Sequence, residues 1–163
     1  MTQTESTVEN EKKTNWIQKK SDLPGVLRVR RLDPKAALPT RAHPDDAGLD
    51  LYALEDVEIE SNGGELLRTG VAMAIPKGYV GMIADRSSFG KKGLKTAGGI
   101  IDAGYRGEVK VIARNLTQEP FSIRRGERIA QLLLIPIATP QIEEVLDLGE
   151  TSRGAGGFGS TGV

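Results

Sequence analysis

The sequence predicts an all-β domain, a sandwich or jelly roll, and two observations carry that prediction. Short runs rich in β-branched and aliphatic residues alternate with clusters of Gly, Pro, Asn and Asp, the pattern of strands separated by turns. Twenty glycines and eight prolines punctuate the chain, and no segment sustains a helical apolar period long enough to demand a helix.

In chain order the expected strands begin with VLRVRRL from Val26, GLDLYAL from Gly48, VEIE from Val57, ELLRTGVAMAIP from Glu65 and YVGMIADRS from Tyr79. A helical turn is expected near Ser87 to Leu94. GGIIDAGYRGEVKV, residues 98 to 111, reads as a β-hairpin: Ile100 and Ile101 lead to Asp102, the turn contains Gly104, and Tyr105, Gly107 and Val109 lead out. VKVIARNL from Val109, FSIRR from Phe121, RIAQLLLIPI from Arg128 and IEEVLDL from Ile142 complete the strands. There is no internal repeat.

At 163 residues the chain is long enough to bury one working core. Residues 1 to 24 are polar, with four acidic and four basic side chains, and read as a disordered extension in which Trp16 and Ile17 alone offer apolar contact to the body or to a partner. Residues 25 to 149 form the β domain, and residues 150 to 163 form a glycine-rich tail.

Lys plus Arg and Asp plus Glu balance at 22 each, so no global field draws the chain to nucleic acid or to an anionic membrane. The chain has no cysteine and a single histidine, His43, which removes disulfides, thiol nucleophiles and Cys/His zinc sites. Any chemistry therefore runs on carboxylates, arginines, hydroxyls and main chain. Any metal is a hard cation held by oxygen, most simply magnesium on a phosphate substrate. No apolar run reaches membrane-spanning length, no signal-peptide core is present, and the absence of cysteine fits a reducing compartment; the expected location is the cytoplasm.

Four interior clusters interrupt the β pattern. AGLDLYA, residues 47 to 53, sets Asp50 in an apolar strand, where a carboxylate either accepts main-chain bonds at a turn or serves a site. DRSSFG, residues 85 to 90, sets Arg86 beside Ser87 and Ser88, a grouping that binds phosphate oxygens or caps a short helix. In residues 98 to 111, Asp102 is a turn former or a general base, and Tyr105 is a cross-strand packer or a face for a ring. In RRGERIAQLLL, residues 124 to 134, Gln131 lies in the most apolar strand and either ties down backbone or faces a polar site, while Arg128 is expected to pair with Glu127 or Asp50.

The tail supplies a fifth cluster. RGAGGFGSTG, residues 153 to 162, has five glycines, one aromatic, one arginine and two adjacent hydroxyls. It satisfies the spacing of a dinucleotide fingerprint, but no strand precedes it and no helix follows it. By composition it is a flexible tail; by chemistry its amides, Arg153, Ser160 and Thr161 suit phosphate oxygens, and Phe158 can cover a flat ring.

Taken in order, AGLDLYA, DRSSFG, GGIIDAGYRGE, RGERIAQL and RGAGGFGSTG resemble the five motifs of the trimeric dUTPase family, from about Val26 to Gly162. The resemblance implies a distorted jelly roll assembling as a homotrimer with shared active sites. It implies hydrolysis of dUTP to dUMP and pyrophosphate with Mg2+, which keeps uracil out of DNA and supplies dUMP for dTMP synthesis. Asp102 would activate the water that attacks the α-phosphate. Tyr105 would stack beneath the deoxyribose and exclude a 2′-hydroxyl, the main chain around Ile100, Ile101 and Tyr105 would read the uracil edge, and Gly99 would also touch the substrate. Arg86, Ser87, Ser88 and Gln131 would hold the α and β phosphates, and Asp50 would order waters around magnesium. Arg153, Gly159, Ser160 and Thr161 would close over the γ-phosphate, with Phe158 over the uracil.

Some positions depart from the family pattern. Thr96 stands where Asn is common, so its contact to the nucleotide is weakened or replaced. Phe89 stands where Leu is usual and Glu127 where Asp is common. Asp85 stands where Pro or a small residue is common, and it is expected to add negative charge near Arg86. The related dCTP deaminases need a glutamate where this chain has Ile112. A nucleotide-binding regulator acting through a partner is the non-enzymatic alternative.

Overall fold

The structure, a computed structural model, describes residues 25–152 and 154–156. Among them the chain forms ten strands and one single-turn helix: β1 (Arg28–Arg31), β2 (Leu49–Tyr52), β3 (Val57–Ile59), β4 (Gly64–Ala74), β5 (Tyr79–Ala84), α1 (Ser87–Gly90), β6 (Leu94–Ala97), β7 (Ile100–Ile101), β8 (Glu108–Asn115), β9 (Phe121–Ile123) and β10 (Arg128–Pro136). Two four-stranded antiparallel sheets, β1-β4-β8-β6 and β2-β10-β5-β7, accompany a two-stranded ribbon, β3-β9. The expected all-β sandwich is the observed class. No helix among the described residues is long and apolar enough to cross a membrane.

The core lies between the two sheets. Along β8, Val109, Val111 and Ala113 are buried while Lys110, Ile112 and Arg114 are exposed, the period-two alternation of a half-buried strand. Leu67, Val71 and Met73 of β4 extend the same inner face. Leu51, Ile83, Ile129 and Leu132 meet them from the other sheet. Leu132 is fully buried, and burying such a side chain stabilises the fold by about 2 kcal/mol.

A bulge interrupts the β4-β8 ladder. Arg68 pairs with Lys110 and Ala72 with Glu108, so three residues of β4, Thr69 to Val71, face the single residue Val109. Gly70 makes the bend at φ 69°, and a Cβ there would press on Ala36 and Leu54. Glu108 accepts the displaced Gly70 N–H at 2.8 Å through Oε1, and Arg68 pairs with the same carboxylate at 3.3 Å.

Two expectations need correction. Residues 98 to 111 do not form a closed hairpin: β7 pairs with β5, whereas β8 pairs with β4 and β6, so the two arms belong to different sheets. Gly98 and Gly99, at φ 68° and 95°, turn the chain out of β6, and the bare Cα of Gly81 admits the Ile101 side chain opposite it. IEEVLDL is not a strand either. Residues 137 to 150 carry no ladder, and Ile142, Leu146 and Leu148 are exposed, paired with none of the sheet edges of the described chain.

The helical turn expected near Ser87 is present as α1. Its N-cap is Arg86, with no side-chain capping bond, so neither Ser87 nor Ser88 serves as the cap.

Candidate active site

The sequence clusters converge on two clefts. The first, about 330 Å³, lies at the ends of three neighbouring strands and is lined by Gly48, Asp50, Arg86, Ser87, Arg128 and Gln131, among others. Asp50 of β2 sits directly across from Gln131 of β10, and Gln131 is across from Ala84 at the end of β5. This register brings three separate motifs to one place.

Electrostatics orders the first cleft. The Asp50 carboxylate accepts Arg86 Nε at 2.9 Å on one oxygen and Arg128 Nη1 at 3.2 Å on the other. Of the two expected partners for Arg128, Asp50 is therefore the one used; Glu127 instead accepts Arg124 N–H at 3.0 Å. Arg86 Nη1 donates to the Arg128 carbonyl at 3.1 Å. Its Nη2 has no partner among the described residues and remains for a ligand oxygen.

Gln131 does both things its sequence position allows. Its Nε2 donates to the Asp85 carbonyl at 2.8 Å, and its side chain also lines the cleft. A Cβ on Gly48, just before β2, would overlap Gln131 Oε1, so a side chain there would push the amide aside. Ser88 is exposed on α1 and lines neither cleft. Phe89 packs edge-on against Phe121 at 5.5 Å, a contact that accounts for an aromatic at that position.

The second cleft, about 410 Å³, contains Gly99, Ile100, Ile101, Asp102 and Tyr105, with Leu66 and Ile112 as apolar wall. Asp102 is exposed, and its main-chain carbonyl accepts Tyr105 N–H at 3.0 Å. Its carboxylate has no partner among the described residues, which leaves both oxygens able to accept a bond from water. Tyr105 Oη donates to the Glu108 carbonyl at 2.9 Å, and a Cβ on Gly107 would overlap that hydroxyl. The Gly99 carbonyl is taken by Ile83 N–H at 2.7 Å, so it belongs to the sheet edge.

The two clefts share no lining residue. A larger cleft of about 780 Å³, lined by Asp33, Lys35, Glu55, Asp56, Arg68 and Arg125, lies apart from both and holds none of the expected site residues. There the main-chain N–H of Arg125, aided by the Arg124 side chain, holds the Asp56 carboxyl below its usual range against the opposing effect of desolvation.

Thr96 and Asp85 depart from expectation together. Thr96 lines neither cleft; its N–H and its hydroxyl both bond Asp85 Oδ1 at 2.7 Å. Lys95 pairs with Asp85 Oδ2. The Asp85 charge is thus spent on β6 instead of facing Arg86. Burial alone would raise the Asp85 pKa, but the bonds from Lys95 and Thr96 outweigh it and hold the carboxyl below its ordinary range. Arg153, Phe158, Gly159, Ser160 and Thr161 lie outside the described residues, as do Trp16 and Ile17.

A family model described as dUTPase matches residues 34–162, four-fifths of the chain and all five motifs. The chain belongs to the dUTPase family. It is 51% identical over 144 residues to the deoxyuridine 5'-triphosphate nucleotidohydrolase of Corynebacterium jeikeium, covering 84% of this chain and 93% of that one. A single-residue variant of the Staphylococcus bacteriophage 80alpha dUTPase with dUpNHpp superimposes at a TM-score of 0.81 with 32% identity, covering 86% of this chain and 100% of that one. A variant dUTPase from phage phi11 of S. aureus, whose structure details the coordination of a structural Mg(II) ion, matches at 0.72 with 31% identity over 76% and 99% of the two chains.

The cleft residues form no cage for a bare cation. Among the described residues no three His, Cys, Asp or Glu side chains gather into a metal cage. Asp50 is the carboxylate of the first cleft nearest Arg86, and both its oxygens already accept guanidinium bonds. A magnesium ion that keeps much of its water shell and takes its other ligands from phosphate suits this donor set, with Asp50 reached through water.

Sequence reasoning missed the residue that shapes the Asp102 turn. Arg106 Nη1 donates to the carbonyls of Ala103 and Tyr105, both at 2.7 Å, holding the turn from within. An arginine between an aromatic and a glycine in a turn was the available signal. It also missed Gly48 and Gly107, whose roles depend on side chains distant or folded back in space.

Proposed function

We propose that this chain hydrolyses dUTP to dUMP and pyrophosphate. A water oxygen bonds to the α-phosphorus, the bond from that phosphorus to the bridging oxygen of the β-phosphate breaks, and Asp102 accepts the proton that water loses. Arg86, Ser87 and Gln131 bind the α and β phosphates, and Tyr105 lies against the deoxyribose, where a 2′-hydroxyl would collide. The main chain at Ile100 and Ile101 reads the uracil edge. Arg153, Ser160 and Thr161 close on the γ-phosphate, with Phe158 over the base. With magnesium bound to the triphosphate, Asp50 would hold waters of its shell, and the ion would supply charge neutralisation.

The observation that carries this reading is the Asp102 carboxylate, exposed and unpartnered among the described residues, in the same cleft as Tyr105. That this cleft and the one holding Arg86 share no lining residue supports a site completed between subunits of a homotrimer. In this reading residues 25 to 149 are the catalytic body, residues 150 to 163 are its cover, and the work is done in the cytoplasm, keeping uracil out of DNA.

The test is pyrophosphate release from dUTP with and without Mg2+, with UTP, dTTP and dCTP as controls, for the parent and for Asp102→Asn. The parent should act on dUTP alone. Asp102→Asn should bind dUTP and release almost no pyrophosphate, since an amide keeps the shape but accepts no proton. Parent-like turnover by that variant would remove Asp102 from the mechanism, and ammonia release from dCTP would move the chain to deamination.

A further inference from the structure

Asp85 stands between the last residue of β5 and Arg86, and it holds partners on two other strands. Its Oδ1 accepts the Thr96 N–H and the Thr96 hydroxyl, each at 2.7 Å, and its Oδ2 pairs with Lys95; both residues belong to β6. Its main-chain carbonyl accepts Gln131 Nε2 at 2.8 Å, from β10. β5 and β10 are neighbours in one sheet, while β6 is the edge of the other. One residue therefore joins the two sheets beside the phosphate-side cleft without lining it.

The consequences fall on the residues next to it. Arg86 and Ser87 follow Asp85 directly, so fixing its carboxylate fixes where their backbone leaves β5. The bond to the Asp85 carbonyl sets the face that the Gln131 amide turns to the cleft, and the absence of a side chain at Gly48 leaves room for the amide there. The Thr96 hydroxyl, with Asp85 as its partner, is occupied in the same link. The carboxylate is 23% exposed, so removing it would leave the Thr96 N–H short of an acceptor.

We propose that Asp85 is a positioning residue for the phosphate cleft, acting through Arg86 and Gln131, and that Thr96 serves Asp85 instead of the nucleotide. This rests on the reading that Arg86 and Gln131 bind phosphate. It assigns a role to two positions at which the chain departs from its family's usual residues, and it makes them one unit.

The experiment compares Asp85→Ala, Asp85→Asn, Thr96→Val and Gln131→Ala in the full chain, with binding of dUpNHpp and of deoxyuridine as readouts alongside KM, kcat and Tm. Asp85→Ala should weaken dUpNHpp about tenfold and leave deoxyuridine within about twofold, the loss expected when one or two hydrogen bonds that orient a phosphate ligand go. Asp85→Asn, which keeps the acceptor for Thr96, should recover most of that loss. Thr96→Val should cost about threefold and add nothing to Asp85→Ala, because both break the same link; it also carries the test if Asp85→Ala does not fold. A lower Tm with unchanged dUpNHpp affinity, or equal weakening of both ligands, would overturn the proposal. If Gln131→Ala weakens dUpNHpp and the Asp85 and Thr96 variants do not, the positioning role alone fails. If Gln131→Ala is also without effect, the phosphate reading fails and takes this inference with it.

Discussion

Asp50 and Arg86, thirty-six residues apart in the sequence, meet at 2.9 Å, and the carboxylate that holds Arg86 by Nε holds Arg128 by its other oxygen. The Asp50 side chain is only 13% exposed, so these charge-assisted bonds act with little screening by solvent. The pair fixes the guanidinium so that its remaining edge faces the cleft. The position of the Arg86 guanidinium depends on Asp50.

Asp50→Asn should therefore lower kcat/KM for dUTP by about tenfold or more, mostly through KM, because one charge-assisted bond is worth about 1.5–3 kcal/mol. Steady-state kinetics at several magnesium concentrations checks it. If excess magnesium restores the parent value, Asp50 acts through the cation and not through Arg86.

Tyr105 should set the sugar preference. Tyr105→Ala should raise the ratio of UTP to dUTP hydrolysis by about tenfold, since the space a 2′-hydroxyl needs is then open. Gly107→Ala should shift the ratio the same way, because its Cβ would displace the Tyr105 hydroxyl from the Glu108 carbonyl. Unchanged ratios in both variants would remove the ring from sugar discrimination.

Shared sites make a mixing prediction. Asp102→Asn and a chain truncated before Arg153 should each be nearly inactive alone. Refolded together in equal amounts they should regain about a quarter of the parent activity, by random assortment of an intact turn from one chain with an intact tail from another. Verified mixed trimers without activity would place both parts of a site in one chain.

Acid should loosen the Asp85 link. Its carboxyl is held below the unfolded value of 3.8, so the folded state favours the charged form; the stabilisation is fully present above that value and is lost as pH falls through the lower folded pKa. Asp85→Asn should be less stable than the parent at pH 7, and the gap should close in thermal melts as the pH is taken progressively below 3.8. A gap of constant size across that range would mean the charge of Asp85 contributes nothing.

The strand content was legible because each run carries its own apolar pattern and its own turn residues. β8 shows why: its alternation needs no knowledge of its partners. Pairing was less legible. Ile100 and Ile101 look like one arm of a hairpin, yet they pair with β5, where the bare Cα of Gly81 makes room for Ile101. Ile142 to Leu148 carry a strand's composition, but a strand also needs an edge, and composition does not say where one is. Asp50, Arg86 and Gln131 were found as motif residues, yet their mutual contacts were not, because strand register and not sequence spacing brings them together. Thr96 and Asp85 were each read alone, and their meaning lies in the bond between them.

The β4 bulge has a bearing on which length changes this chain tolerates. Three residues against one is a surplus of two, an even number, so Leu67 before the bulge and Met73 after it point to the same side. Removing two residues between Arg68 and Ala72 would straighten the ladder and keep both in the core. Removing one would turn everything on one side of the deletion inside out, exchanging buried for exposed along the remainder of the strand. Natural length variation at this point should accordingly come in pairs.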